Sequence, residues 1–348
     1  MNKFDAERML LLSPGSLSYQ RDELLVNSSK DAVFENLFTT ICGSDLRIMS
    51  NGDARIVGPR VLGHEVVARV ILPGIRKDIT VGDYVAIGAD IPCGECHHCL
   101  LNQENLCIKH VALGYQLDGG LSSVTVFPAK FLRDAPIVKI EPRQKIEAYA
   151  LAEPLGCVLH GLEFSGVAKH HRVLVVGGGP IGIMLAKVCN TFLDIPEDNI
   201  TIIEPFELRS NFIRKLGFKV QQSLVENVSA YDSQFDRVFT ATSNPESHKG
   251  IFSHVRRGGK INFFGGVPKE TSKMEIDSNF LHYSEISLEG SHGSCPRHHR
   301  KAAELISSDE TFWSSLITLK TPLQELPSAI NRLRKGLEIK VAVEFEGA

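Results

Sequence analysis

The chain has 348 residues, of which 43% are apolar and 23% are charged, and its formal net charge is -3. This near-neutral balance argues against nucleic acid or an anionic membrane as a partner. The apolar run at residues 9–12 is far too short to span a bilayer, and no signal peptide is visible. We therefore expect a cytoplasmic protein, and a chain of this length should bury two cores rather than one.

Short β-type runs dominate the first part of the chain. They occupy residues 56–62, 66–72 and 84–87, and pairs such as Gly58-Pro59 interrupt them. This texture predicts a β-rich barrel or sandwich-like domain.

From residue 172 onward, apolar strands alternate with glycine turns and helices, which is typical of parallel α/β architecture. The predicted strands are 173–176, 200–203, 237–240, 260–264 and 286–288. A final alternating strand at 340–345 has no obvious place in that sheet. We therefore expect the chain to return to the first domain after about residue 294.

Four cysteines have the spacing C-x2-C-x2-C-x7-C. Four thiolates at this spacing can close a tetrahedral zinc site, which leaves no coordination position for a substrate. Unrelated cysteines or a disulfide pair are the alternative, but no secretory context supports disulfides. The sequence therefore predicts a structural zinc held by Cys93, Cys96, Cys99 and Cys107.

An apolar strand runs into the motif G-x-G-x-x-G and then into a predicted helix. Gly177 permits a tight turn, Gly179 lets the backbone approach a pyrophosphate, and Gly182 lets the helix pack closely on the strand. Pro180 and Ile181 begin the helix whose N-terminus would receive the phosphate charge. These residues predict a dinucleotide site.

Glu204 follows the next predicted strand, about twenty residues downstream, where an acid can bind both hydroxyls of the adenosine ribose. Its carboxylate would repel the 2′-phosphate of NADP, so NAD is the predicted cofactor. Arg209 is counted among the cofactor residues, and it leaves NADP less favoured rather than excluded. The alternative interpretation of Glu204 is a strand-end charge that faces solvent.

The first domain also holds a widely spaced set of metal-type residues: Cys42, His64, Glu65 and Glu153. One thiolate, one imidazole and one or two carboxylates suit a zinc that keeps a position for water or substrate. Each residue alone has a structural interpretation, with Cys42 and His64 as core residues and Glu153 as a helix-start carboxylate.

Taken together and in order, these segments resemble the zinc-dependent medium-chain dehydrogenase/reductase family. The resemblance covers nearly the whole chain and is greatest to the polyol (sorbitol-type) and threonine dehydrogenase branch. It implies an α/β protein with a GroES-like β-rich catalytic domain and a Rossmann doubly wound parallel sheet. The segments that carry it are Cys-Gly-Ser-Asp at 42–45, Gly-His-Glu at 63–65, the four cysteines, Glu-Pro-Leu at 153–155, the glycine motif and Glu204.

The resemblance implies two domains. Residues 1–155 and 295–348 would form the discontinuous, zinc-binding catalytic domain, and residues 156–294 would bind NAD. It also makes Cys42 and His64 ligands of a catalytic zinc, with Glu65 and Glu153 bound directly or through water. Asp45 would orient His64, as metal-bound imidazoles usually require.

The same resemblance implies that NAD oxidises a secondary alcohol. Zinc acts as a Lewis acid that favours the alkoxide, and a hydride passes to the nicotinamide. Ser44 would be the first acceptor of the alcohol proton, and the backbone of Gly266 and Val267 would meet the nicotinamide carboxamide. Many family members have a histidine five residues after the zinc cysteine, whereas this chain has Arg47, so its proton relay must differ.

The implied substrate is a small-molecule polyol, cyclitol, sugar phosphate or amino alcohol. L-threonine 3-dehydrogenase is the alternative among enzymes, and a catalytically silent nucleotide-binding protein is the alternative outside them. The family commonly forms homodimers or homotetramers by joining Rossmann sheets edge to edge, and residues 286–288 are the predicted edge.

A basic cluster at residues 297–301 follows Pro296. It could hold the phosphate of a sugar phosphate, but Pro296 indicates a helix start. The favoured interpretation is a solvated helical face.

Overall fold

The computed structural model describes residues 2–26, 28–228 and 235–347. The chain divides into two units, Met1–Cys157 with Gly293–Ala348 and Val158–His292. The predicted domains, 1–155 with 295–348 and 156–294, stay a prediction. Residues 1, 27, 229–234 and 348 of those ranges lie outside the described residues.

The strands are numbered in chain order, and β11 to β16 belong to the second unit. They are β1 (Asn2–Ser13), β2 (Ser16–Val26), β3 (Ala32–Thr40), β4 (Arg60–Val61), β5 (Glu65–Leu72), β6 (Tyr84–Ile87), β7 (Asp90–Ile91), β8 (Val111–Ala112), β9 (Val124–Phe127), β10 (Ile137–Ile140), β11 (Val173–Val176), β12 (Ile200–Ile203), β13 (Val220–Gln221), β14 (Phe235–Thr240), β15 (Val255–Phe263), β16 (Ser287–Gly290), β17 (Ile317–Pro322) and β18 (Lys340–Glu344).

The α-helices are numbered in the same way. Within the part of the chain that the structure describes, no helix is long and apolar enough to cross a membrane. The helices are α1 (Gly43–Asn51), α2 (His97–Leu100), α3 (Ala129–Leu132), α4 (Ala152–Phe164), α5 (Pro180–Thr191), α6 (Glu207–Lys215), α7 (Pro245–Gly250), α8 (Ser278–Ser284), α9 (Pro296–Ser308), α10 (Glu310–Ser315) and α11 (Leu326–Arg334).

The strands β1 and β2 form a long antiparallel hairpin, for which sequence reasoning made no prediction. Its turn is Pro14-Gly15, and Gly15 has a φ of +81°, a value that favours glycine. The short strand β4 pairs with β1. The predicted strand at 56–62 was too long, because Gly58 has a φ of +75° and Pro59 has no N–H for a ladder.

The main sheet of the first unit has the order β10-β6-β5-β3-β18-β17, and β9 also pairs with β3. The last strand, β18, pairs antiparallel with β3 and parallel with β17. Its buried Val341 and Val343 share a core with Ile41, Leu326 and Ile330. The alternating pattern at 340–345 is therefore a strand of this sheet, as the sequence led us to expect.

The sheet of the second unit is parallel and has the order β13-β12-β11-β14-β15-β16. All four residues of β11 and of β12 are buried, because central parallel strands are covered on both faces. The predicted Rossmann doubly wound sheet is confirmed, and the first two predicted strands have the observed bounds. The strand β16 lies at the sheet edge.

Helix α9 begins at Pro296, as predicted, but it does not present a solvated basic face throughout. His298 is 4% exposed and His299 is 2% exposed. His299, Ala302, Ala303 and Ile306 share one helical face by their spacing, and all four are buried. The expectation of a solvated face was therefore wrong for the two histidines.

Candidate active site and metal sites

The four predicted zinc cysteines lie together in a loop, here called the cysteine loop (residues 93–107). Strands β7 and β8 join its ends, with Asp90 opposite Ala112. The four sulfur atoms lie within 4.8 Å of one another. The backbone N–H of Cys93 donates to Sγ of Cys107 at 3.2 Å. The sequence spacing therefore corresponds to one compact group of sulfur ligands.

The protonation of these thiols indicates that the group suits a cation. Backbone N–H groups of Cys99 and Ile108 lower the pKa of Cys96 to about 6. Burial and the neighbouring Cys96 raise the pKa of Cys99 to about 12. Four close thiolates repel one another, and a zinc dication would stabilise all four. The eight cysteines are all free thiols.

A second group consists of Cys42, His64 and Glu65, whose ligand atoms also lie within 4.8 Å of one another. The register of β3 against β5 produces it, because Thr40 at the end of β3 pairs with Glu65. Cys42 follows two residues later as the N-cap of α1, and His64 immediately precedes β5. A thiolate and an imidazole in this arrangement, with carboxylates beside them, suit a zinc with an open position.

Asp45 is a buried, charged neighbour of His64. Its Oδ1 atom lies 3.3 Å from Nδ1 of His64, and its Oδ2 atom accepts from the N–H of Cys42 at 2.9 Å. Burial would lower the pKa of His64, but the Asp45 charge outweighs it and raises this pKa well above its ordinary value. Nε2 of His64, 3.4 Å from Oγ of Ser44, is therefore the nitrogen left for a metal.

Sequence reasoning missed two further side chains: Tyr115, which contacts Ser44, and Arg55, which contacts Tyr115. The Tyr115 side chain is hydrogen-bonded to Ser44, and its ring centroid is 6.0 Å from that of His64. The guanidinium carbon of Arg55 lies 4.0 Å from the centroid of the Tyr115 ring. Arg47, which replaces the usual relay histidine, is exposed. No motif around Tyr115 or Arg55 indicated these contacts.

Glu65 is fully buried, and Lys340 neutralises its charge. Nζ of Lys340 lies 2.8 Å from Oε1 and 2.6 Å from Oε2 of Glu65, and the Thr40 hydroxyl also donates to Oε2. Burial would lower the pKa of Lys340, but the charge of Glu65 outweighs it and raises this pKa. Sequence reasoning missed Lys340, because its only signal is a lysine at the start of an apolar strand.

Glu153 lies in the first turn of α4, near this group but outside it. Burial raises its pKa to about 7, the His64 charge opposes this, and the carboxylates of Glu65 and Asp90 reinforce it. Sγ of Cys157 donates to Oε1 of Glu153 at 3.5 Å, and burial raises the pKa of Cys157. A buried carboxyl with a raised pKa would be stabilised in its charged form by a bound cation, so Glu153 suits a metal site.

The glycine motif forms a tight turn between β11 and α5. Gly177 has a φ of +110°, and a Cβ atom at Gly182 would lie 1.9 Å from the carbonyl oxygen of Gly177. A Cβ atom at Gly179 would meet nothing within 4 Å, so this side of the turn is open. Pro180 is the first residue of α5 and Ile181 the second. The turn can therefore be approached closely by a pyrophosphate.

Glu204 is 2% exposed, so the alternative of a solvent-facing charge is wrong. It accepts hydrogen bonds from the N–H of Gly178 at 2.7 Å and of Phe206 at 2.9 Å. The guanidinium carbon of Arg209 lies 5.7 Å from the centroid of the Phe206 ring. Glu204 thus links the end of β12 to the glycine turn.

Gly266 and Val267 follow β15. The preceding Gly265 donates its N–H to the carbonyl of Thr240 at 2.6 Å, which fixes the start of this turn. A Cβ atom at Gly266 would meet nothing within 4 Å. The backbone at Gly266 is therefore open on its Cβ side.

Two protein-family models match the chain. The alcohol dehydrogenase GroES-like domain matches residues 28–137, and the glucose dehydrogenase C-terminus matches residues 150–345, more than half of the chain. The chain belongs to the zinc-dependent medium-chain dehydrogenase/reductase family. This dehydrogenase is accordingly an oxidoreductase of the alcohol dehydrogenase class.

Known relatives of the dehydrogenase match most of its length. L-threonine 3-dehydrogenase of Yersinia pestis (strain Pestoides F) is 28% identical over 321 residues, which are 88% of this chain and 90% of that protein. An uncharacterised zinc-type alcohol dehydrogenase-like protein of Haemophilus influenzae is 26% identical over 315 residues, 88% of each chain. A crystal structure from Sinorhizobium meliloti 1021, described as a zinc-binding dehydrogenase bound to NADP, has a TM-score of 0.88 at 24% identity and covers 98% of this chain and 100% of its own.

Proposed function

We propose that the dehydrogenase oxidises a secondary hydroxyl of a polyol, cyclitol, sugar phosphate or amino alcohol, with NAD as the hydride acceptor. The observation that carries this proposal is the close group of Cys42, His64 and Glu65, with the buried Glu153 beside it. A zinc ion bound there supplies Lewis acidity, which lowers the pKa of a bound hydroxyl. The cysteine loop holds the second, structural zinc.

We assign Cys42 and His64 as catalytic metal ligands and Glu153 as the carboxylate that joins them. Glu65 is the less suitable carboxylate, because Lys340 and Thr40 already occupy both of its oxygens. Glu153 accepts a weak hydrogen bond from Cys157 at 3.5 Å, and its raised pKa would return to the ordinary range beside a dication.

Ser44 takes the proton of the substrate hydroxyl at Oγ. This atom lies beside Nε2 of His64, so it faces the position that a metal-bound alcohol would occupy. The Tyr115 side chain, which bonds Ser44, provides a second hydroxyl. Arg47 cannot replace the usual histidine, because a guanidinium stays charged.

The cofactor is NAD rather than NADP in this proposal. Gly177, Gly179 and Gly182 shape the turn that receives the pyrophosphate, and Pro180 and Ile181 open the helix that faces it. Each Glu204 oxygen accepts one backbone hydrogen bond and retains a lone pair for a ribose hydroxyl. Arg209 borders the adenosine side, and the backbone of Gly266 and Val267 would hold the carboxamide.

L-threonine 3-dehydrogenase is the second candidate, and the identity to the Yersinia enzyme favours it. A homodimer or homotetramer joined along β16 and a cytoplasmic location stay predictions, as does the absence of nucleic acid and membrane partners. A sharp monomer in sedimentation velocity would contradict the oligomer.

The absorbance of NADH at about 340 nm tests the proposal, because this absorption belongs to the reduced nicotinamide ring that carries the hydride. The zinc-loaded protein is mixed with NAD and a panel of polyols, cyclitols, their phosphates, threonine and simple alcohols. Cys42→Ala serves as the metal-site control, and zinc content is measured for both proteins. Activity that Cys42→Ala abolishes supports the proposal. If no compound of the panel produces NADH and zinc occupies the cysteine loop alone, the result supports the catalytically silent nucleotide-binding alternative.

A further inference from the structure

His299 is a buried histidine of α9 that lies against two elements of the first unit. Its Nε2 donates to the carbonyl oxygen of Ala86 on β6 at 3.2 Å. A Cβ atom at Gly88 would lie 3.2 Å from its Nδ1. A Cβ atom at Gly156 would lie 3.2 Å from Oγ of Ser294 and 3.4 Å from the backbone N and Cα of His299. Glycine at position 88 therefore permits the chain that follows β6 to approach the His299 ring closely, and Gly156 places α4 against the backbone of His299.

The contact with α4 lies in the turn that carries Glu153. The carbonyl of Ala152 faces the His299 ring, and Ala152 and Gly156 are one helical turn apart. Glu153 and Cys157 are also one turn apart, on the adjacent side of the same helix. A shift of α4 relative to His299 would therefore move the Glu153 carboxylate by a similar distance.

The start of α9 is itself anchored. Sγ of Cys295, the N-cap residue, lies 3.4 Å from Oδ1 of Asn105, and Nη1 of Arg297 donates to the carbonyl of Asn102 at 2.9 Å. Both asparagines belong to the cysteine loop. The first turn of α9 is thus attached to the cysteine loop, and this attachment restrains the position of His299.

We propose that His299 is a positioning residue: it fixes the first turn of α4 against β6 and thereby sets the reach of Glu153 toward Cys42 and His64. The inference rests on the proposed function, in which Glu153 joins the metal.

The test compares His299→Phe, which keeps bulk but removes the donor, with His299→Gln, which keeps a donor for Ala86. Cobalt replaces zinc at the Cys42 and His64 site, and its visible d–d spectrum reports the ligand arrangement independently of activity. His299→Phe is expected to shift this spectrum and to lower kcat more than it changes KM, by as much as about 100-fold if Glu153 moves by about 1 Å. His299→Gln is expected to restore both values toward the unmodified protein.

His254→Phe is the matched control. His254 is also fully buried, and its Nε2 lies 3.3 Å from the carbonyl of Val225 in the second unit. It should lower the melting temperature without altering the cobalt spectrum. The same spectral shift in His254→Phe would overturn the inference. An equal loss of kcat in His299→Phe and His299→Gln would overturn it as well.

A folded His299→Phe protein with unchanged spectrum and kcat would also overturn it. If His299→Phe does not fold, Gly88→Ala replaces it, because the added Cβ atom would lie 3.2 Å from Nδ1 of His299 and must shift the spectrum by displacing the ring. Glu153→Gln separates the two proposals. If it leaves the spectrum unchanged, the ligand role of Glu153 fails and the inference fails with it. If it shifts the spectrum while the His299 variants do not, only the inference fails.

Discussion

Removal of the Lys340 ammonium should be one of the most damaging single changes in the first unit. Lys340 is 4% exposed and its partner Glu65 is 0% exposed, so Lys340→Met leaves a buried carboxylate without a counter-charge. The side chain of methionine has a similar length, so lost packing contributes little. The loss therefore reports the electrostatics of the pair.

The magnitude follows from the geometry. At the 2.6 Å separation of Nζ and Oε2, the Coulomb attraction is about 6 kcal/mol for an effective dielectric constant of about 20. Breaking a buried pair by removing one partner costs about 3–5 kcal/mol in the free energy of unfolding. For a unit of this size, that loss lowers the melting temperature by about 6–20 °C.

Urea and thermal unfolding of the purified protein measure this loss. Lys340→Met with Glu65→Gln removes both charges and should recover more than half of it. Lys3→Met is the matched control, because the Lys3 and Glu23 side chains are 61% and 47% exposed and such a pair contributes at most about 1 kcal/mol. Equal losses in Lys340→Met and Lys3→Met would refute the reasoning.

Three further changes have defined outcomes. Cys96→Ser should lower the zinc content by one ion per chain and the melting temperature with it, as metal analysis and calorimetry can check; retention of both ions would contradict the cysteine-loop site. Burial lowers the pKa of His299 from 6.5 to about 4 on folding, so the unfolded chain binds a proton at this side chain first as the pH drops. The free energy of unfolding should therefore fall by about 3 kcal/mol between pH 6.5 and 4, and acid unfolding of His299→Gln should lack this pH-dependent loss. Glu204→Ser should weaken NAD binding and improve NADP binding in fluorescence titration, and an unchanged preference would remove Glu204 from cofactor selection.

Local sequence patterns were most informative where function lies within one short segment. The glycine motif and β11 belong to one continuous stretch, and all four residues of β11 are buried as the apolar run predicts. The cysteine loop is similarly local, because its sulfur ligands come from fifteen consecutive residues, 93–107. Spacing alone therefore predicted both groups.

Sequence patterns were less informative where two interpretations of the same residues were physically possible. The basic run at 297–301 contains both exposed cations and two histidines that are buried in the core. A helical period shows that one face must differ from another, but it does not show which face a neighbouring element covers. The short extent of β4 and the hairpin of β1 and β2 were missed for a related reason, since strand pairing depends on distant partners.

By itself, the sequence determined which side chains could bind two metals and a dinucleotide, because donor chemistry and short spacings are properties of the chain. Only the tertiary structure decided how those groups are tuned. Lys340 meets Glu65 across 275 residues of sequence, and His299 meets Ala86 across 213. Both contacts depend on the return of the C-terminal segment to the first unit. Burial then determines how strongly each contact shifts a pKa, because the partners of a buried charge or imidazole replace the water that would otherwise solvate it.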